Sequence, residues 1–240
     1  MRNVPYQKWA QFIDEAIQHF DFEWNSVLEI ASGSGILARE LAKKNRNISV
    51  LSDLSPYMLQ KSQELNSNTP HIAFDMNHIC FQDHSFNGIL CCFDSIHYLK
   101  NLDQVRASLL EMKRVLKPNG WLHLDTLSIQ SARGGMFDWG HFSEHGHVDI
   151  MREAYFDADD NIQHNNFIFY SKTDLGYFKH KEHHAQFLWE NSEFSQLLDQ
   201  TGWSIIAMTQ NFTLEPASTQ PERIHWFLQP KKSIFGPTLF

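Results

Sequence analysis

A short glycine turn and an acidic residue after the next apolar run have the types and spacing of a site that binds a nucleoside. Gly33-Ser34-Gly35 follows the apolar run SVLEIA and opens a helical segment, and Asp53 follows the next apolar run. Glycines let a ligand approach the backbone, and a helix N-terminus presents N–H groups that lack partners. A carboxylate at the end of the second strand of a doubly wound sheet accepts both hydroxyls of a ribose. This spacing therefore predicts a site for a nucleoside-containing cofactor.

Alternating strands and helices place this turn at the edge of a sheet. Apolar runs predict strands at 26–31, 48–52, 71–74, 88–93 and 121–127. Helical periodicity predicts helices at 36–44, from Pro56 onward with Ser55 as N-cap, and between Asn101 and Lys117. Further helices are expected at 6–20 and 191–200, and final strands at 203–209 and 223–228. This order is typical of an α/β fold with a parallel sheet covered on both faces.

The alternation of strands and helices stops after residue 128. Residues 129–150 are expected to form a polar, Gly-containing and His-rich connection. REAYFDA and HNNFIFYSK flank Asp159-Asp160-Asn161, which predicts a β-hairpin, and 176–188 is expected to be extended. We expect one domain over 1–240, with a helical cap at 1–24, a core at 25–128 and 190–231, and an inserted hairpin lid at 129–189.

Several motifs, in order, resemble those of the class I S-adenosylmethionine-dependent methyltransferases. VLEIASGSG (27–35) is similar to the first motif of that family, although Ala31 stands where the first glycine is usual. LSDLSPYML, SFNGILCCFDSIHYL and VLKPNGWLHLD are similar to the motifs that follow. The resemblance implies a Rossmann-like, doubly wound, seven-stranded sheet with its last strand antiparallel. It also implies S-adenosyl-L-methionine as cofactor and a methyl transfer reaction.

The same resemblance implies roles for individual residues around the cofactor. Glu29 would balance the charge of the methionine ammonium, and the backbone carbonyls near Phe93 would accept hydrogen bonds from it. Asp53 would bind the ribose. Ala31, Gly33 and Gly35 would form the turn beneath the cofactor. The adenine would lie between the apolar flank of Leu54 and Met58 and the pair Asp75-Met76. Aromatic faces such as that of Tyr6 would shelter the sulfonium.

Two other functions remain open on the sequence. The segment from Gly33 to Ala38 also satisfies the G-x-G-x-x-A pattern of nicotinamide-dependent oxidoreductases, although Tyr6, Tyr57 and Tyr98 have no Lys four residues later. The chain is also compatible with a cofactor-binding protein that serves a partner and has lost catalysis, but no binding residue is missing.

The methyl acceptor is expected to be a small polar molecule with an amine or a hydroxyl. No N-P-P-Y tetrapeptide follows the fourth strand, where C91-C92-F93-D94 stands, and a formal net charge of −8 argues against nucleic acid. The inserted lid is loosely similar to those of small-molecule methyltransferases. Tyr6 and His184 are the best candidates to orient or deprotonate the acceptor, with His97 and His145 in reserve.

Histidine, cysteine and apolar content bear on metal binding, on the cellular compartment and on membrane association. His141, His145 and His147, near Glu144 and Asp149, have the spacing of a metal site, but methyl transfer needs no metal and we expect none. Three cysteines without C-x-x-C spacing, and an N-terminus without an apolar signal core, favour the cytoplasm. No apolar run approaches the roughly 18–20 residues that cross a bilayer. We expect a monomer or homodimer that does not bind membranes.

Overall fold

The computed structural model describes residues 4–218 and 221–232. The helices of these residues are α1 (Tyr6–His19), α2 (Ile36–Ala42), α3 (Pro56–Leu65), α4 (Leu102–Val115), α5 (Ile129–Arg133) and α6 (Asn191–Gln200), with a 3-10 turn at Ser95–Tyr98. The strands are β1 (Val27–Glu29), β2 (Val50–Asp53), β3 (His71–Ala73), β4 (Phe86–Cys91), β5 (Leu116–Leu127), β6 (Trp139–His145), β7 (Val148–Asp157), β8 (Ile162–Thr173), β9 (Gly176–Phe187), β10 (Trp203–Gln210) and β11 (Arg223–Pro230).

The larger sheet has seven strands in the order β10-β11-β5-β4-β1-β2-β3. β1 to β5 pair in parallel, whereas β11 runs antiparallel to both β5 and β10. This confirms the predicted doubly wound α/β fold with its last strand antiparallel. Because the strand order reverses beside β1, the carboxyl ends of β1 and β4 border the crevice where such sheets bind ligands.

Alternate residues of the central strands pack against different helices. In β4, Ile89 and Cys91 join the apolar cluster that contains α4 and α6, whereas Leu90 joins the cluster that contains α1 and α2. Fully burying a side chain of this size stabilises the fold by about 1.5–3 kcal/mol. A shift by one residue would exchange the two faces, so the packing fixes the register of the strand.

Local sequence signals set where α3 and α4 begin. The Ser55 hydroxyl accepts the Met58 N–H at 3.4 Å, and Pro56 occupies the first turn, as the sequence predicts. Asn101 caps α4 by accepting the Gln104 N–H at 2.9 Å. Both caps satisfy backbone donors that the first helical turn leaves unpaired.

A second sheet holds four antiparallel strands in the order β6-β7-β8-β9. The hairpin around 159–161 and the extended segment from 176 are confirmed. The connection expected at 129–150 contains α5, β6 and the first residues of β7, and the sequence analysis predicted none of these elements. Most side chains of β6 are exposed, so the strand lacks the apolar alternation by which a half-buried strand is recognised. Among the described residues, no helix is long and apolar enough to span a bilayer.

Candidate active site

Asp53 organises the glycine turn at the end of β2. One carboxylate oxygen accepts the Gly33 N–H at 2.8 Å and the other accepts the Ser55 N–H at 2.8 Å. Each oxygen keeps a further lone pair that a ribose hydroxyl can use. The carboxylate predicted to bind ribose therefore also holds together the two loops that follow β1 and β2.

Gly33 and Gly35 serve the turn in different ways. Both have positive φ angles, +55° and +70°, which favour glycine. A Cβ at Gly35 would collide with the side chains of Ser62 and Asn66, so this glycine lets α2 approach α3. A Cβ at Gly33 would have no atom within 4 Å, so this glycine borders open space that a ligand can enter.

Glu29 is a buried carboxyl group with an unused oxygen. Its side chain is only 2% exposed, and Oε2 has no hydrogen-bond partner among the described residues. Burial, and then the negative charge of Asp53, raise the pKa of Glu29 to about 8. A buried carboxyl group with an open acceptor site suits a cationic ligand group, and the ammonium of a methionine moiety meets that need.

The loops after β1 and β4 both contain left-handed backbone. Ala31, Phe93 and Asp94 have φ angles of +54°, +62° and +52°, a conformation that L residues seldom adopt. The Phe93 ring centroid lies 5.2 Å from that of Tyr6 and 4.5 Å from that of Trp9. Burial and the charge of Glu29 raise the pKa of the Tyr6 phenol. Tyr6 on α1 therefore lies near both Phe93 and Glu29, as a residue beside the reacting centre would.

The residues assigned to the adenine lie around the ends of β2 and β3. Leu54 is 71% exposed, and Met58 is partly buried on the first turn of α3. One oxygen of exposed Asp75 accepts the backbone and side-chain N–H groups of Asn77, at 2.9 and 3.0 Å. Met76 packs on the apolar cluster beneath. The sheet thus places these four residues along one edge, with an apolar face and a carboxylate exposed.

An ion-pair triad beyond Phe93 was not predicted from the sequence. Arg223 at the start of β11 bonds Asp94 at 2.7 Å and also bonds Asp125 on β5, whose Oδ2 accepts the Asp94 N–H at 2.8 Å. Burial raises the pKa of Asp125 to about 6 despite Arg223. Burial acts in the same direction on Asp94, but Arg223 and the Gln186 amide outweigh it and lower its pKa. Since 98 residues separate Asp125 from Arg223, no local pattern signals the pair.

His97 links the core to the lid through both ring nitrogens. Nδ1 donates to the Phe187 carbonyl at 2.8 Å, and Nε2 accepts the Leu127 N–H at 3.0 Å. The ring is fully buried, and this burial lowers its pKa to about 4. Neither nitrogen has a free lone pair for an acceptor proton, because Nδ1 carries the proton and Nε2 is already an acceptor.

Two side chains of β9 face the end of β4. Gln186 donates to the Asp94 carboxylate, and the His184 Nδ1 lies 3.2 Å from the Tyr98 hydroxyl. Partial burial and the charge of Asp94 raise the pKa of Tyr98 to about 12, so it stays protonated. His183 lies on the other face of the strand, where its Nε2 is 2.9 Å from the Nδ1 of His164. Of these neighbouring histidines, His184 is the one directed to the site.

The three lid histidines whose spacing is that of a metal site lie away from His184. His141 and His145 are exposed on β6, and His147 is exposed in the turn before β7. Nowhere in 4–218 and 221–232 do three His, Cys, Asp or Glu side chains converge as metal ligands would.

Comparison with known proteins shows which activity the sequence is similar to. Residues 27–120 match a family model described as a methyltransferase domain. The chain is 27% identical to the putative methyltransferase YqeM of Bacillus subtilis, over 98% of this chain and 94% of that protein. It is 36% identical to the ubiquinone/menaquinone biosynthesis C-methyltransferase UbiE of Rickettsia prowazekii, over 45% of this chain and 46% of that protein.

Solved structures share the fold over nearly the whole chain. A crystal structure of an S-adenosylmethionine-dependent methyltransferase from Clostridium acetobutylicum has a TM-score of 0.83 at 19% identity, over 96% of this chain and 94% of that chain. The sugar N-methyltransferase KedS8 from Streptoalloteichus has a TM-score of 0.79 at 15% identity, over 96% and 90%. The protein is a methyltransferase that uses S-adenosylmethionine as its cofactor. These matches are to methyltransferases, so the sequence does not encode the nicotinamide-dependent oxidoreductase that the G-x-G-x-x-A pattern also allowed.

Proposed function

We propose that this enzyme transfers the methyl group of S-adenosylmethionine to an amine or hydroxyl of a small polar metabolite. The observation that carries the proposal is the polar junction between the lid and the end of β4. There Gln186 and His184 meet Asp94 and Tyr98. Such a junction offers hydrogen bonds to a polar acceptor, and its groups lie beside the turn that holds the cofactor.

The geometry described above supports the following proposed roles around the cofactor. Glu29 binds the ammonium, Asp53 the ribose hydroxyls, and Asp75 with Met76, Leu54 and Met58 the adenine. Ala31, Gly33 and Gly35 shape the turn, and Phe93 supports Tyr6 next to the sulfonium. When bound, S-adenosylmethionine supplies an electrophilic methyl group on a positively charged sulfur.

The protein then has to align the acceptor and receive one proton. A bond forms from the acceptor nitrogen or oxygen to the methyl carbon as the carbon–sulfur bond breaks, and alignment supplies most of the acceleration. Tyr98 and Tyr6 orient the acceptor by hydrogen bonding. At Nε2, His184 accepts the proton that the acceptor loses, while its Nδ1–H donates to the Tyr98 oxygen. The Glu182 carboxylate, 3.6 Å from Nε2, then stabilises the imidazolium. We assign His97 a positioning role, because its two nitrogens hold β5 and β9 together.

The similarity to named relatives supports the acceptor class only in part. KedS8, a sugar N-methyltransferase, resembles this chain across the lid as well as the core. The match to UbiE, a C-methyltransferase, covers fewer than half of the residues. We therefore favour a polar acceptor, in a monomer or homodimer that does not act on nucleic acid.

A transfer assay with labelled S-adenosylmethionine tests this proposal. The enzyme is incubated separately with amino sugars, amino acids, polyols, RNA and unfolded protein, and label in each fraction is counted. We expect label in a low-molecular-weight acceptor, and His184→Ala to reduce it while His183→Ala does not. Label confined to RNA or protein would overturn the proposed acceptor class.

A further inference from the structure

Arg152 projects from β7 on the lid face that meets the core. It lies directly across from Phe167 on β8, and its Cζ is 5.1 Å from that ring and 4.1 Å from the ring of Trp139 on β6. Phe167 in turn contacts His184 with ring centroids 5.5 Å apart. The guanidinium is therefore held between two aromatic rings on the same lid face as the proposed base.

Most of the hydrogen-bonding capacity of Arg152 is unused. Its Nη2 donates to the Asn165 side chain at 2.6 Å, while Nε is buried and has no partner among the described residues. A guanidinium carries five N–H donors, and a buried charged donor without a partner is costly. Within the described residues, the buried Nε–H therefore lacks the partner that a charged donor needs.

Other arginines of the described chain contrast with this one. Arg46, Arg114, Arg133 and Arg223 each form an ion pair with a carboxylate at 2.8 Å or less. In residues 4–218 and 221–232, no carboxylate lies within 4.0 Å of Arg152. Asp94, on the facing loop, is already neutralised by Arg223. Asp94 acts on Arg152 only at longer range, so within the described residues Arg152 has no carboxylate in direct contact.

We propose that Arg152 binds an oxyanion of the methyl acceptor, a carboxylate or a phosphate, and thereby selects acidic small molecules. This inference rests on the proposed function and specifies its substrate class. The planar guanidinium matches both anions with paired hydrogen bonds, and the flanking rings fix its orientation. The acceptor's amine or hydroxyl then lies toward His184 and Tyr98, and its acidic group toward β6 and β7.

Nuclear magnetic resonance of the arginine Nε–H groups tests the binding directly. The protein, saturated with S-adenosylhomocysteine, is titrated with malonate and, separately, with methyl phosphate. The Arg152 signal is identified by its loss in Arg152→Gln. We expect one of the two anions to shift this signal saturably. Calorimetry, which does not depend on that signal, measures the anion affinity of each variant, and we expect it to fall about tenfold or more in Arg152→Gln and less in Arg152→Lys.

Arg106→Gln is the matched control, since Arg106 lies on α4 and, within the described residues, its guanidinium bonds Gln200 and no carboxylate. It should leave the titration unchanged. Malonate and methyl phosphate distinguish a carboxylate acceptor from a phosphate acceptor. An Arg152 signal that neither anion shifts, or equal anion affinity in wild type and Arg152→Gln, would overturn the assignment.

A transfer assay separates this inference from the proposed function. Amine-bearing carboxylates and phosphates are compared with their amides and alcohols as acceptors. We expect transfer to the charged member of a pair, with Arg152→Gln reducing that rate about tenfold or more. Equal transfer to charged and neutral members would refute the role of Arg152 and leave the proposed function intact. No transfer to any amine or hydroxyl would refute the proposed function, whereas the titration would still decide whether Arg152 binds anions.

Discussion

The His184 Nδ1 and the Tyr98 hydroxyl lie 3.2 Å apart, although 86 residues separate them along the chain. This contact joins the lid to the loop after β4, where the acceptor is proposed to bind. A general base typically contributes about 10²–10⁴-fold to a rate. We therefore expect His184→Ala to lower kcat/KM by a factor in that range, measured by formation of S-adenosylhomocysteine.

His183→Ala supplies the control for that experiment. His183 is the adjacent residue on β9, but it stacks on His164 on the other face of the sheet. The His183→Ala variant should keep kcat/KM within about twofold of the wild type, because the His183 side chain reaches no proposed reacting group. A loss in His184→Ala no larger than in His183→Ala would show that His184 is not the base.

Asp53→Asn tests the ribose site. The amide keeps the shape of the side chain but loses the charge that strengthens hydrogen bonds to the ribose and to the Gly33 and Ser55 N–H groups. Binding of S-adenosylhomocysteine should weaken by about 1–3 kcal/mol, as calorimetry would measure. Asp199→Asn, at an exposed residue that pairs with Lys231, should have no effect. Equal affinities of Asp53→Asn and wild type would exclude Asp53 from the ribose site.

The sequence predicts this part of the site well because its signals are local. The turn at Gly33, the strand before Asp53 and the cap at Ser55 each depend on residues close together in the chain. Their positions in the fold then follow from strand order alone. For the same reason the individual strands of this sheet were predictable, since buried strands repeat an apolar pattern that short segments reveal. The seven-stranded sheet with its last strand antiparallel was implied by the family resemblance.

The acceptor side was less predictable because its contacts connect distant segments. Asp94 meets Arg223 only because β5 lies between β4 and β11. Arg152 faces the site because of the register of β7 and β8, which no single segment determines. β6 was missed since its exposed residues carry no apolar alternation.

Glu29 should couple cofactor binding to proton release. Burial raises its pKa to about 8, so it carries a proton at pH 7, and the cofactor ammonium favours the ionised form. Calorimetry in buffers of different ionisation enthalpy should detect release of up to about one proton on binding at pH 7. Glu29→Gln should abolish that release and weaken binding. The same proton release in both proteins would contradict the role of Glu29.

The buried histidine pair His123 and His225 should make the fold sensitive to acid. Their ring nitrogens lie 3.1 Å apart, and burial lowers the pKa of His123 to about 3 and that of His225 well below its usual value. The unfolded chain binds protons at pH values where these rings do not, so stability falls as pH drops from 6.5 toward 3. The raised pKa values of Glu29 and Asp125 act in the opposite direction.

His123→Phe isolates the histidine contribution. Urea unfolding at a series of pH values should show a smaller loss of stability between pH 6.5 and 4 in this variant than in the wild type. His147→Phe, at an exposed residue of the lid, should keep the wild-type pH dependence. An unchanged slope in His123→Phe would mean that this ring titrates alike in the folded and unfolded chain.

The atom that receives the methyl group tests the central claim most directly. Reaction with S-adenosylmethionine labelled with ¹³C in its methyl group, followed by carbon NMR of the purified product, identifies the new bond from the chemical shift. The account predicts a methyl group on nitrogen or oxygen of a small polar molecule, with one S-adenosylhomocysteine formed per methyl transferred. A methyl group on carbon, or on a nucleic acid or protein, would contradict it.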